Sequence, residues 1–176
     1  RTKTMKRTIK NILALAAICL MWSCEKAEVP VYNSPTAINF LAPDGYGGFK
    51  DDYLNLSVEI NLYEQYLKTM DVNESELQIG FQIEGLIPET DMRVRFSTEA
   101  VEDYKQAQVE LPTDTVIRAG QYKQTATIKC LKPAEMEKEY ATYITFDYAN
   151  SDVVAGTKER QKFKVTVKDK TDWDGM

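Results

Sequence analysis

Apolar and polar residues alternate along most of this chain. Leu54, Leu56, Val58, Ile60 and Leu62 take every second position, with Asn55, Ser57, Glu59 and Asn61 between them. Successive side chains of a strand point to opposite faces, so a period of two predicts a half-buried strand with its apolar side inward. The pattern recurs at Leu77-Ile79-Phe81-Ile83, Met92-Val94-Phe96, Ala126-Ile128-Cys130, residues 143–146 and Phe163-Val165-Val167. Shorter candidates lie at 37–41, 109–111 and 115–117. Turn chemistry separates them: Pro43-Asp44-Gly45, residues 85–88, Pro112-Thr113-Asp114, Ala119-Gly120 and Gly156. Seven or more short strands without long helical periods predict an all-β chain, an antiparallel β-sandwich over residues 37–169. Two stretches break the alternation. Residues 63–76 read as a short helix or an irregular crossover. Residues 134–139 read as one helical turn after Pro133, a residue favoured in first turns.

The N-terminal segment follows a different rule. Lys6, Arg7 and Lys10 precede a mostly apolar run over 12–22, then Ser23, Cys24 and the polar Glu25-Lys26. About 11 apolar residues are too few to cross a ~30 Å hydrocarbon core as a helix, and match the core of a secretory signal. The order of basic, apolar, small residue and cysteine resembles a bacterial lipoprotein signal, with Met21 where Leu is commonest. In that family the cysteine takes a thioether-linked lipid and the signal is cut in front of it. The resemblance implies a signal peptide over 1–23, with Met5 as the start and 1–4 set aside as upstream sequence. It implies a lipidated Cys24 as the mature N-terminus, held to the bilayer by palmitate-like acyl chains. Each buried CH₂ contributes ~0.8 kcal/mol, so two or three chains anchor firmly where one is marginal. Residues 24–36, with Pro30, Asn33, Ser34 and Pro35, read as a tether. The expected address is the outer membrane, on the cell surface.

Charge and missing residue types narrow the function. Removing 1–23 takes five basic residues (Arg1, Lys3, Lys6, Arg7, Lys10) and no acidic ones from totals of 22 and 27, leaving a net charge of −10. Such a chain lacks the basic face that nucleic acid demands. Of three cysteines, Cys19 leaves with the signal and Cys24 is lipidated. Cys130 is left with no intramolecular partner and reads as a small buried hydrophobe. There is no histidine, which removes the commonest general base and zinc ligand.

Over 77–168 the order of features resembles a Calx-β-type, immunoglobulin-like sandwich. Glu102-Asp103-Tyr104 supplies the Asp-Tyr step, with Glu102 where glycine is common. Ile117-Arg118-Ala119-Gly120 supplies the turn, Thr125-Ala126-Thr127-Ile128 the next strand, and the segments 143–146 and 163–167 the closing hairpin. With Cys24 and the segment Tyr32, Ile38, Asn39, Phe40, the whole chain is similar to Bacteroidota surface lipoproteins of unknown function. Many of these accompany outer-membrane glycan-uptake systems. Such proteins continue beyond the point matching Trp173, so the tail 170–176 is read as a possible truncation. Some Calx-β domains bind calcium, which puts Asp103, Asp147 and Asp169 forward as candidate ligands, with Asp51, Asp52 and Asp152 as further carboxylates. No local cluster among them supplies the six to eight oxygens that calcium takes, and no tight metal site or other cofactor is expected.

The Gly-rich segment 44–49 lacks the Lys-Ser/Thr of a phosphate loop, but carries Tyr46 and Phe49 as candidate contacts for a sugar or a partner. A glycosidase would need two carboxyls ~5–9.5 Å apart in a cleft, and the sequence singles out no pair. The expected function is therefore a non-enzymatic binding or accessory lipoprotein serving glycan capture and uptake, with an outer-membrane transport partner. The alternative is a structural adhesion or pilus-type subunit that assembles through exposed strand edges.

Overall fold

The computed structural model describes residues 35–52, 56–62, 73–135 and 138–169. The signal segment, Cys24, the tether up to residue 34, Leu54, residues 63–72 and the tail 170–176 lie outside them.

The described residues form two facing sheets. The first carries β12 (Val154–Ala155), β1 (Ala37–Pro43), β4 (Glu74–Glu84), β10 (Lys123–Leu131) and β8 (Val109–Glu110) in that order, with β2 (Phe49–Lys50) paired to β1. The second runs β3 (Ser57–Asn61), β13 (Lys162–Lys168), β11 (Glu139–Phe146), β6 (Phe96–Ala100), with β7 (Lys105–Gln106) beside β11. A two-stranded ribbon joins β5 (Met92–Val94) to β9 (Thr115–Ile117). This is an all-β sandwich, as the alternation predicts. Most ladders are antiparallel. Three are parallel: β1 with β12, β7 with β11 and β3 with β13.

The period of two decides which face is buried. On the first sheet Ile38, Phe40, Ile79, Phe81, Ile83, Ala126, Ile128 and Cys130 share the inner face. Ile60, Phe96, Ile144, Phe146, Phe163, Val165 and Val167 answer them from the second. Aromatic rings stitch the sheets together. Phe40 stacks on Phe146 at 4.1 Å between centroids, and Phe81 meets Phe96 edge-on at 5.6 Å. Such pairs contribute ~0.5–1.5 kcal/mol beyond their buried area.

Several local expectations are corrected. The alternation at Met92-Val94-Phe96 is two strands, broken at Arg95: β5 joins the ribbon and β6 the second sheet. Arg95 is where the chain changes sheets, its N–H donating to Ser151 Oγ at 2.8 Å. Glu74, Ser75 and Glu76 belong to β4, not to a helix or crossover. No helical turn follows Pro133 among the described residues. Glu139 opens β11, because Glu139↔Lys168 pairing fixes it in the ladder. Asn61, polar in the alternation, is buried at the end of β3.

The edge of β1 is closed by a segment that alternation does not reveal. The carbonyls of Thr36, Ile38 and Phe40 point the same way, every second residue. Val154 N–H donates to Thr36 at 2.9 Å and Gly156 N–H to Ile38 at 3.2 Å. Where the parallel strand ends, side chains continue. Gln161 Nε2 donates to the Ile38 carbonyl at 3.0 Å, and Arg160 donates to Phe40 through Nε at 3.1 Å and Nη2 at 2.9 Å. A planar guanidinium with parallel N–H groups thus stands in for a missing strand. It protects an edge that would otherwise offer itself for pairing.

Candidate functional site

The turn between β1 and β2 is built by one carboxylate. Asp44 Oδ1 accepts the N–H groups of Tyr46 and Gly48, each at 2.8 Å, while Asp44 N–H donates to the Gly48 carbonyl at 3.0 Å. These two backbone donors hold the Asp44 carboxyl below its ordinary value. Gly45 and Gly47 adopt φ of 82° and 90°, which L side chains rarely enter, so the tight turn requires them. The result lifts Tyr46 off the sandwich, with 97% of its surface exposed.

The returning strand is fastened to the first sheet. Lys123 Nζ donates to the Phe49 carbonyl at 2.8 Å, and Gln82 Nε2 donates to Asp51 Oδ2 at 3.2 Å. Arg160 also pairs with Asp51, so the buried cation that closes the β1 edge grips this loop too. The Phe49 ring lies on Gly80 of β4. A Cβ at Gly80 would come within 2.4 Å of Phe49 Cγ, so only glycine admits the ring there.

The structure therefore separates the two aromatic candidates. Tyr46 is free in solvent. Phe49 has one face committed to Gly80 and lends its remainder to an open groove of about 400 Å³. Pro43, the loop glycines, Val58, Leu77 and Gln78 complete its mostly apolar described lining. Val58 belongs to the second sheet and Leu77 to the first, so the groove lies over the seam between them. An apolar floor beside one almost fully exposed phenol can hold the C–H face of a ring-shaped ligand and hydrogen-bond its hydroxyls.

The acidic candidates are not brought together. Asp103 sits in the 102–104 turn with φ of 66°, left-handed backbone that residues other than glycine seldom adopt, and there Lys164 Nζ lies 4.3 Å from the centre of the Tyr104 ring. Asp147 precedes a 3₁₀ turn and accepts Asn150 Nδ2 at 2.7 Å. Asp169 is buried beyond β13 and pairs with Lys132 at 3.2 Å. Among the described residues no group of three or more His, Cys, Asp or Glu is placed to hold a metal ion. Cys130 is fully buried, and desolvation pushes its thiol up to about 11. Sequence reasoning missed Arg160 and Asp51 as the clamp on the loop. A lone Arg in a polar segment carries no periodic signal that would mark it as buried.

No protein-family model and no curated protein matches the chain. Among solved structures it is similar to Bacteroides thetaiotamicron EndoBT-3987, a structure holding a Man5GlcNAc product. That likeness has 11% identity and a TM-score of 0.49, over 66% of this chain and 29% of the other. It is also similar to the Calx CBD1 domain in its apo form, at 16% identity and a TM-score of 0.36, over 53% of this chain and 81% of the domain. The class of the protein, an all-β sandwich, rests on its own two sheets and not on these likenesses.

Proposed function

We propose that this chain is a lipid-anchored, extracytoplasmic binding module, without catalysis of its own, that captures a glycan through the β1–β2 loop. The observation that carries the reading is Tyr46, almost wholly exposed on a loop braced by Asp44, Lys123 and Arg160, beside an apolar groove over the sheet seam. Order is costly in a solvent-exposed loop, and a braced loop presenting one aromatic has already met that cost before ligand arrives. The anchor reading adds the address, the outer-membrane surface, and an uptake transporter as the natural recipient of captured glycan.

Three measurements test it. Metabolic labelling with a clickable fatty acid should mark the wild-type chain and spare Cys24→Ala; labelling of both sinks the anchor. A glycan array on the purified protein should find saturable binding that Tyr46→Ala weakens about tenfold, the scale of one lost aromatic anchor. Concentration-dependent polymers in size exclusion, with no glycan bound, would favour the assembly subunit instead.

A further inference from the structure

Among the described residues, four of the five other large exposed apolar side chains lie at the end of the sandwich opposite Tyr46; the fifth, Tyr104, is in the 102–104 turn and 36% exposed. Leu86 and Ile87, in the turn after β4, are 66% and 54% exposed, and Tyr122, just before β10, is 55% exposed. These two turns are fastened together. Ile83 N–H donates to the Tyr122 carbonyl and Gly120 N–H to the Pro88 carbonyl, both at 2.9 Å. Val154, 40% exposed, is at the same end, because it pairs with Ala37 and Ala37 pairs with Glu84. Two ion pairs lie at this end, Arg118 with Asp91 at 2.9 Å and Arg93 with Asp152 at 3.6 Å, while Glu84, which accepts from Thr157 Oγ1 at 3.0 Å, and Glu89 flank Leu86 and Ile87.

The chain enters the sandwich at this end. Thr36, hydrogen-bonded to Val154, leads into Ala37, whereas β1 finishes at Pro43 and the Tyr46 loop. Seven strand residues separate the two ends by ~20 Å. Only 12 residues, 25–36, stand between Cys24 and β1. Twelve residues treated as a random chain span ~20 Å on average and ~43 Å at full extension. Anchoring at Cys24 would thus hold this end, not the Tyr46 end, within reach of the bilayer at high effective concentration.

We infer that Leu86, Ile87 and Tyr122 rest in the lipid headgroup region and stand the sandwich upright on the membrane, with the Tyr46 groove facing away. The chemistry fits a neutral lipid surface: two aliphatic side chains at the tip of one turn, a tyrosine of the kind that favours the membrane interface beside the next, and no excess of basic charge that would seek anionic lipid. The inference rests on the anchor reading above and adds an orientation to it.

The test uses the full chain from a lipoprotein-processing bacterial host, on phosphatidylcholine vesicles with brominated acyl chains. Tyr122→Trp and Tyr46→Trp serve as reporters, each corrected for the parent emission of Trp173, and of Trp22 where the signal is uncut. Tyr122→Trp should be quenched roughly twofold, as expected for an interfacial ring, while Tyr46→Trp is unaffected. Adding Leu86→Glu and Ile87→Glu should abolish the quenching without changing the melting temperature, since both residues are exposed. Cys24-dependent vesicle association with no Tyr122→Trp quenching, or with Tyr46→Trp quenched equally, overturns the orientation and leaves the anchor standing. If Cys24→Ala still associates, the anchor fails. Quenching of Tyr122→Trp that the glutamates abolish would then support the lipid contact on its own, and its absence would overturn both. Self-association lost in the glutamate variant, with no quenching, would assign the patch to a second copy and overturn the inference.

Discussion

At the scale of single residues, two buried side chains do opposite kinds of work. Cys130 is inert by design of its surroundings. Reactivity belongs to the thiolate, and burial that raises the thiol to about 11 leaves almost none at neutral pH. Alkylation followed by peptide mass spectrometry should leave Cys130 unmodified in the folded protein and modify it fully in urea. Arg160 is buried because it replaces a strand. Its guanidinium makes two bonds to one carbonyl and a pair with Asp51, while its stem fills space that smaller residues would leave empty. Arg160→Ala strands the Phe40 carbonyl and should cost about 2–4 kcal/mol in urea unfolding. Arg160→Lys should recover less than half of that loss, because one ammonium cannot place two parallel N–H groups on one oxygen.

At the scale of elements, the β1–β2 hairpin is where local chemistry and sheet geometry meet. The Asp44 carboxylate organises the turn, and Gly80 receives Phe49 so that the returning strand lies close. Because the folded-state pKa of Asp44 is lowered, its contribution is fully present above the unfolded carboxyl value of ~3.9 and is lost as pH falls through the lower folded value. The Tyr46 and Gly48 amide resonances should therefore hold steady from pH 7 to 5 and shift only in strong acid. In Asp44→Ala they should resemble open-loop amides at every pH, and exchange with solvent should quicken. A Tyr46 amide that titrates near neutral pH would show that another group governs the loop.

At the scale of the whole molecule, the two sheets are held by one continuous apolar core, and the carboxylates are spread around it. Asp103, Asp147 and Asp169 each answer a local need: a left-handed turn, a 3₁₀ start and a buried pair with Lys132. Calcium takes six to eight oxygens at one point, and these three do not converge. A ligand binding only the folded state at 100 times its Kd would add ~2.7 kcal/mol of stability. Thermal unfolding in millimolar calcium should match that in chelator at equal ionic strength. A calcium-specific rise in Tm abolished by Asp103→Asn would mean that distant segments do assemble a site.

The amino-acid sequence by itself determined the longer strands and their inward faces, but not the two-residue strands β2, β7 and β12. A period of two assigns Ile79, Phe81 and Ile83, or Phe163, Val165 and Val167, to one side without reference to any partner. Turn residues such as Gly45 and Gly120 mark where each strand ends, because their backbone needs are local. Tyr46 was legible as a loop aromatic for the same reason. Tertiary structure alone decided which strands became neighbours, including the parallel β1–β12 and β3–β13 ladders between residues more than a hundred apart. It also decided that Arg95 would divide one alternating run between two sheets, that Phe49 would lie on Gly80, and that Arg160 would close an edge. Those outcomes turn on which surfaces meet across long stretches of chain. Burial of a charge or a ring against such a surface leaves no period in the local sequence that could announce it.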